Sequence, residues 1–352
     1  MKNPYNWTRT RPEVEIPRPE VPELAAGLRE GRSYILLAGR GMGKSVFLHQ
    51  IRRELEKDDD VRVFLISDPP MTVTARACME KLGHVLGVDT DRLGLNGKGV
   101  GDLIEAYLER DVPPNVVLLF DELDRYARLP TREDPSTPGR DFFNSLEMMR
   151  RSPPGAGAVG VLAAGSLGSF IFRDALGSPF ADRASRALIG PFERQQIERL
   201  AQPFAERGGA LSVGVLESLE LASGGNPALV TFGLESLWRC EVPTERDVTT
   251  SFSKFLENNA DFVRSFYISF ANPRLSEAPR RVWDLIRKSS GEVSHEELEK
   301  ACGPPDHLLY LDFKDVLILL KAAGLVRITG TVRSDPVVVE PITSILNLPQ
   351  DA

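Results

Sequence analysis

Cysteine is scarce in this sequence: 352 residues contain three, Cys78, Cys240 and Cys302, with no CxxC pair and no cluster. That spacing argues against a disulfide scaffold or a structural zinc site and is typical of proteins in a reducing cytosol. Residues 1–17 lack the apolar segment of a signal peptide. The stretch 153–172 carries no charge, but its five glycines make it too polar for a good membrane span. We therefore expect a cytoplasmic protein without a membrane function.

Basic residues are outnumbered, with 43 Lys and Arg against 50 Asp and Glu and a formal net charge of -7. A chain with this balance has no global positive field that attracts nucleic acid. Its 42% hydrophobic and 26% charged residues are those of an ordinary globular protein. Its length predicts about two or three domains.

Apolar runs alternate with helical patterns in the first half of the chain. The runs predict buried strands at 33–38, 61–67, 116–120 and 158–164, with a short fifth strand at 187–190. Uniformly apolar strands are typical of a parallel sheet that is covered on both faces. We therefore predict an α/β fold with a three-layer core and a mostly parallel sheet.

The pattern changes after Pro191, where helical segments run to about residue 269 without clear strands. From about residue 279, three helices and a small hairpin are predicted, the arrangement of a winged helix. Ser294 and Glu297 form the expected capping box of the second of these helices. We predict four parts: an extended proline-rich arm over 1–22, a core over 23–192, an all-α lid over 193–270 and a winged-helix domain over 271–352.

A glycine-rich loop, AGRGMGKS at residues 38–45, lies between the first predicted strand and the next helix. It matches the Walker A pattern G-x-x-x-x-G-K-[ST], except that Ala38 replaces the first glycine. Glycines allow the positive φ that turns backbone N–H groups onto phosphate, and the helix N-terminus adds partial positive charge. Lys44 is expected to reach the β- and γ-phosphates and to assist catalysis, and Ser45 to ligate Mg²⁺. The predicted nucleotide-binding residues are Gly39, Arg40, Gly41, Met42, Gly43, Lys44, Ser45 and Val46.

The third predicted strand ends in the acidic sequence FDELD, residues 120–124. A carboxylate at the carboxyl end of a buried strand is typical of a Walker B aspartate. Asp121 is predicted to hold Mg²⁺ through water, and Glu122 to polarise the attacking water. Because the chain lacks the Asn/Thr-Lys-x-Asp element that recognises guanine, ATP is favoured over GTP.

With these two motifs the chain resembles the AAA+ and STAND branches of P-loop ATPases, over about residues 20–345. The resemblance implies a P-loop NTPase core followed by a lid and a winged helix. It also implies a polar sensor-1 residue after the fourth strand, for which Ser166 is the candidate. An arginine that faces a nucleotide, often a neighbour's, is implied before the fifth strand. Arg183 is the preferred candidate there, and Arg173 and Arg186 are the alternatives.

The segment SGGNPALV, residues 223–230, resembles the Gly-x-Pro motif of STAND ATPases and the Gly-Gly-x-Pro motif of archaeal-type ATPases. The resemblance implies that Pro227 packs by the adenine and begins a helix, a position that suits proline. Ala228 stands where AAA+ motors carry the sensor-2 arginine. This departure favours a STAND-like switch over a motor.

A winged helix can bind DNA through its third helix, here residues 311–324. That segment has no arginine to read guanine, and residues 265–352 hold ten basic against twelve acidic residues. Arg280, Arg281 and Arg287 share one helix, but a solvated helix face explains them equally well. DNA therefore stays a candidate partner that the charge does not support.

These features predict an ATP-binding, slowly hydrolysing switch whose lid and winged helix move with nucleotide state to control a separately encoded partner protein. A homo-oligomer fits an arginine that acts in trans. Because the chain stops about a dozen residues past the predicted wing, the sensor and effector of such a switch are expected on other chains. The resemblance alone implies a multi-gene bacterial system such as anti-phage defence. Two alternatives stay open. One is a DNA-loading or DNA-remodelling ATPase similar to replication initiators or transposition helper ATPases, and the other is a nucleotide-gated scaffold that barely hydrolyses ATP.

Overall fold

The computed structural model divides the chain into two compact units. The residues that it describes are 3–6, 13–68, 70, 74–90, 99–109, 115–126, 138–151, 157–165, 180, 183–259, 278–289, 293–303, 316–317, 320, 326–329 and 338–341. We call Pro17–Leu37 with Lys44–Leu188 the sheet unit. We call Met1–Ile16, Ala38–Gly43 and Ile189–Ala352 together the helical unit.

The sheet unit contains a five-stranded sheet in which every strand pair is parallel, as the sequence predicted. The strands follow the order β2-β3-β4-β1-β5. Their bounds are β1 Ser33–Leu37, β2 Val61–Ile66, β3 Asn115–Phe120, β4 Val159–Gly165 and β5 Ser185–Leu188. The helices are α1 Val21–Arg29, α2 Lys44–Leu55, α3 Ala75–Leu86, α4 Gly99–Leu108, α5 Leu123–Tyr126 and α6 Pro138–Arg151.

Burial explains which strands the sequence predicted well. Every residue of β1 and of β4 is buried, so both strands appear as continuous apolar runs. The fifth strand lies at the sheet edge, and its residues are exposed or half-buried. Its predicted position, 187–190, is therefore wrong by two residues, because Ser185 and Arg186 gave no apolar signal.

The helical unit contains seven helices among its described residues. They are α7 Arg194–Leu200, α8 Gln202–Glu206, α9 Val213–Ser223, α10 Pro227–Leu237, α11 Glu245–Asn258, α12 Ala278–Lys288 and α13 His295–Cys302. The predicted capping box of α13 is present: the Glu297 N–H donates to Ser294 Oγ, and the Ser294 N–H donates to Glu297 Oε2. The predicted hairpin is present as β6 Val326–Thr329 and β7 Val338–Pro341, which pair antiparallel.

The predicted third helix, residues 311–324, lies mostly outside the described residues, so the winged-helix assignment stays a prediction. None of the helices in the described part of the chain combines the length and hydropathy needed to cross a membrane.

The N-terminal arm contributes an aromatic side chain to the core of the helical unit. The Tyr5 ring stacks on Phe204 with centroids 5.8 Å apart and meets Trp238 edge-on at 5.7 Å. The Tyr5 hydroxyl donates to the Leu200 carbonyl at 2.8 Å, and burial together with Glu206 raises the pKa of Tyr5 well above its usual value. Ile16 is buried in the same core. The sequence predicted an extended arm but not this anchor, because a single tyrosine among prolines has no periodicity to detect.

We expect Tyr5→Ala to destabilise the helical unit by about 3–5 kcal/mol, the cost of removing a buried aromatic ring. Tyr5→Phe keeps the ring and loses only the hydroxyl hydrogen bond, so it should cost about 1 kcal/mol. Urea unfolding followed by tryptophan fluorescence measures both values, and hydrogen exchange in α7 and α8 locates the loss. Equal stability of Tyr5→Ala and the parent would show that the arm is not part of this core.

Candidate functional site

The two motifs that the sequence singled out meet at one edge of the sheet unit. Ser45 lies in the first turn of α2, and Asp121 directly follows β3. The Ser45 Oγ donates to Asp121 Oδ2 at 2.6 Å, across 76 positions of sequence. A hydroxyl and a carboxylate that converge in this way are the hard oxygen donors that Mg²⁺ prefers. The donor set therefore fits the predicted metal, with Ser45 and Asp121 as the residues that would hold it.

Asp121 is held by the backbone on both sides. Its N–H donates to the Ile66 carbonyl at 3.0 Å, and its Oδ1 accepts from the Glu122 N–H at 2.8 Å. The residue is 7% exposed. Since one carboxylate oxygen is engaged by Glu122 and the other by Ser45, the orientation of the carboxylate is fixed by the fold.

Glu122 has an unusual backbone conformation. Its φ is +56°, and within the described part of the chain it is the one residue other than glycine with a positive φ. Such a conformation costs an L-residue free energy and persists where neighbouring packing imposes it. Phe120 and Leu123, at 1% and 0% exposure, anchor the chain on either side. Positive φ at the predicted water-polarising residue is therefore a local strain maintained by the core.

The Glu122 side chain is exposed and ion-paired. Arg125 Nη1 lies 2.9 Å from Glu122 Oε2, and the Arg125 N–H donates to the Glu122 carbonyl at 2.9 Å. Both side chains are 51% exposed, so the pair adds little to stability. The ion pair matters because it sets the position of the Glu122 carboxylate. The sequence analysis missed Arg125, although its i,i+3 spacing from Glu122 was a signal.

The glycine-rich loop has the backbone conformations that its sequence predicted. Gly41 has φ +78° and Gly43 has φ +82°. A Cβ at Gly43 would meet nothing within 4 Å, so glycine is required there for φ alone. Among the other predicted binding residues, Gly39 and Met42 are buried, Arg40 is exposed, and Lys44, Ser45 and Val46 are half-buried. The first-glycine position is occupied by Ala38, which is fully buried.

Pro227 is the first residue of α10 and is buried, so it begins the helix as predicted. The sequence analysis missed its neighbour Asn226, whose Nδ2 donates to the Arg40 carbonyl at 3.1 Å. The Ala228 N–H donates to the Gly41 carbonyl, also at 3.1 Å. These contacts lie within the helical unit, to which Ala38–Gly43 belongs. Asparagine before proline is a helix-cap signal and could have indicated Asn226.

Some of the predicted sensor and arginine residues lie among the described residues, and others do not. Ser166 and Arg173 lie outside the described residues. Arg183 is exposed, and Arg186 is half-buried on β5. These placements leave Arg183 as the accessible candidate among the arginines that the structure describes.

One cation of the predicted winged helix has a structural partner. Arg281 Nε donates to the Ala301 carbonyl at 3.1 Å, and its Nη2 donates to the Cys302 carbonyl at 2.5 Å. The side chain therefore satisfies carbonyls at the end of α13. This contact removes Arg281 from the cations that a DNA phosphate would need.

Solved structures share this fold over nearly the whole chain. The Walker-type ATPase PABY2304 of Pyrococcus abyssi matches at a TM-score of 0.61 and 16% identity, with 96% of each chain covered. The ORC2 protein of Aeropyrum pernix, solved as ADPNP-ADP complexes, matches at 0.51 and 13% identity over 99% of this chain and 95% of that one. No protein-family model matches the chain, and no curated protein matches it in sequence. The likeness shows the fold: the sheet unit has the fold of the α/β core of P-loop NTPases.

We expect Glu122→Gly to be more stable than Glu122→Ala by about 1 kcal/mol, because only alanine meets the steric clash of a left-handed residue. Both variants remove the carboxylate and the Arg125 pair, so their difference isolates the backbone. Urea unfolding measures it.

The matched control for this comparison is Glu105, an exposed position inside α4. There the order should reverse, with glycine less stable than alanine by about 1 kcal/mol. The same order at both positions would contradict the positive φ of Glu122.

Proposed function

We propose that this protein binds ATP with Mg²⁺ and hydrolyses it slowly, as a switch that controls a partner protein. The observation that carries the proposal is the 2.6 Å hydrogen bond from Ser45 Oγ to Asp121 Oδ2, directly after a loop with positive φ at Gly41 and Gly43. A phosphate-binding loop and two converging oxygen ligands are what a nucleotide–Mg²⁺ complex needs. The fold shared with the Aeropyrum pernix protein, solved with ADPNP and ADP, supports the choice of nucleotide.

Each residue of the site has a distinct task in this proposal. The loop N–H groups and the α2 N-terminus bind the phosphates, and Lys44 neutralises their charge. Ser45 and Asp121 orient Mg²⁺, which when bound draws electron density from the phosphate oxygens. Glu122 positions the attacking water and accepts its proton.

The ion pair with Arg125 supports slow turnover. The Glu122 carboxylate lies 2.9 Å from the Arg125 guanidinium and must leave that position to reach a water. A long-lived ATP state is what a switch requires.

Contacts within the helical unit support the proposed control of a partner. The loop residues 38–43 belong to the same compact unit as α7 to α11, and Asn226 and Ala228 donate to their carbonyls. A nucleotide that rearranges the loop would therefore act on α10.

We further propose a homo-oligomer in which exposed Arg183 reaches a neighbour's nucleotide. A cytoplasmic setting is supported by Cys78, Cys240 and Cys302, none of which forms a disulfide.

We predict that substitutions of Lys44 and Glu122 affect different steps, nucleotide binding and turnover respectively. Lys44→Ala should lower ATP affinity by roughly 100-fold, since it removes a charged contact to the phosphates. Glu122→Gln should leave ATP affinity unchanged and lower turnover by about 10²-fold or more. Calorimetry measures binding, and release of phosphate measures turnover.

Lys57→Ala is the matched control for the lysine, because Lys57 follows the far end of α2 and pairs with Glu54 at the surface. It should bind ATP like the parent. Undiminished affinity in Lys44→Ala would overturn the phosphate-loop assignment. Full turnover in Glu122→Gln would make Asp124 the next candidate base.

We predict that hydrogen exchange differs between Glu122→Gln trapped with ATP and the same variant with ADP. The differences should fall in residues 223–240 and 280–330, because the lid and the predicted winged helix move with nucleotide state. Peptides from α4 serve as the reference and should exchange equally in both states. Identical exchange in the two regions would leave ATP binding intact and remove the switch from the proposal.

A further inference from the structure

Asn226 uses both ends of its side-chain amide. Its Oδ1 accepts from the Ala228 N–H at 3.0 Å and the Leu229 N–H at 3.3 Å, which caps α10. Its Nδ2 donates to the Arg40 carbonyl at 3.1 Å. Asn226 is 2% exposed, and its bonds are buried or partly buried, where leaving a polar group unpaired is costly. An uncharged side chain with an acceptor and a donor a fixed distance apart is needed for both tasks.

The turn that carries Asn226 is itself held in place. Gly224 and Gly225 have φ values of +59° and +73°. The Gly225 N–H donates to Ser223 Oγ at 3.1 Å, and the Gly225 carbonyl accepts from the Phe192 N–H at 2.7 Å. Asn226 is therefore presented to the loop by a fixed turn.

Two successive carbonyls of the glycine-rich loop, those of Arg40 and Gly41, accept bonds from the start of α10. In a planar trans peptide the carbonyl and the following N–H point in opposite directions. Holding the Arg40 carbonyl against Asn226 therefore turns the Gly41 N–H away from α10. Loop N–H groups that share a direction are what an anion-binding loop needs.

The close approach also explains why residue 41 is glycine. A Cβ there would lie 2.8 Å from Asn226 Oδ1 and 3.1 Å from the Ala228 Cβ. Unlike Gly43, Gly41 is thus required both for its φ of +78° and for the space that Asn226 occupies.

We propose that Asn226 is a positioning residue that sets the phosphate loop for nucleotide binding and couples occupancy of the loop by either nucleotide to α10. The proposal rests on the proposed ATP binding and names the contact through which that binding reaches the lid. Because the oriented peptide lies in the part of the loop that precedes Lys44, ADP and ATP should depend on it alike.

The test compares Asn226→Ser with the parent protein. Serine caps a helix as well as asparagine does, but its side chain is shorter and cannot reach the Arg40 carbonyl. The urea midpoint should fall only slightly, because the helix cap is kept and one hydrogen bond, that to the Arg40 carbonyl, is lost. Dissociation constants for ADP and ATP should both rise by about tenfold, the loss of one oriented contact. The KM for ATP should rise with them, and kcat should be unchanged.

Thr244→Ala is the control for a lost cap alone. Thr244 caps α11 in the same unit, with its side chain accepting from the Asp247 N–H. Its loss should lower the urea midpoint without changing either dissociation constant. If Asn226→Ser does not fold, Asn226→Asp replaces it in the test, because aspartate also caps the helix.

The outcomes separate this inference from the proposed function. Parent protein that binds neither ADP nor ATP would overturn the proposed function itself. If the parent binds and folded Asn226→Ser binds both nucleotides with the same dissociation constants, Asn226 has no positioning role. A lowered kcat with an unchanged KM would also overturn the proposal, because it would place the effect in the chemical step.

Discussion

The hydrogen bond between Ser45 and Asp121 is the contact on which the proposed chemistry depends. It requires that α2 begin directly after the glycine-rich loop and that β3 end at the same edge of the sheet as β1. The parallel register provides this, since β4 pairs with both strands, Leu37 lying opposite Gly165 and Phe120 opposite Ala163. Everything else in the site is placed relative to this contact: the loop precedes Ser45, and Glu122 follows Asp121.

Two residues of the site are fixed by the fold, and a third is exposed and held by an ion pair. Ser45 and Asp121 are fixed by hydrogen bonds and burial, whereas Glu122 is exposed, strained in its backbone and paired with Arg125. In the proposed function, the fixed pair would hold Mg²⁺ and favour tight nucleotide binding, and the ion-paired carboxylate would slow the hydrolysis that follows. Together these features support the proposal of a protein that holds ATP longer than a motor would.

In this interpretation the helical unit takes part in nucleotide binding. Its turn at Gly224 and Gly225 directs Asn226 to the Arg40 carbonyl of the loop, and its core includes Tyr5 from the far end of the chain. The N-terminal arm thus stabilises the same unit that contacts the loop. Asparagine, rather than another capping residue, is required where one side chain must both cap a helix and donate to the loop.

Local patterns in the sequence were sufficient to predict the parallel sheet, the loop and the acidic turn. Buried strands and phosphate loops are encoded by residues that are neighbours in the chain, and only the exposed edge strand was misplaced, because it lacks an apolar run. The tertiary structure alone decided the features that join distant segments or depend on backbone angles. These are the Ser45 bond to Asp121, the positive φ of Glu122, the Asn226 contact with the loop and the burial of Tyr5. Residue spacing reports neither a φ angle nor a partner some 190 positions away, since both are set by how the core packs.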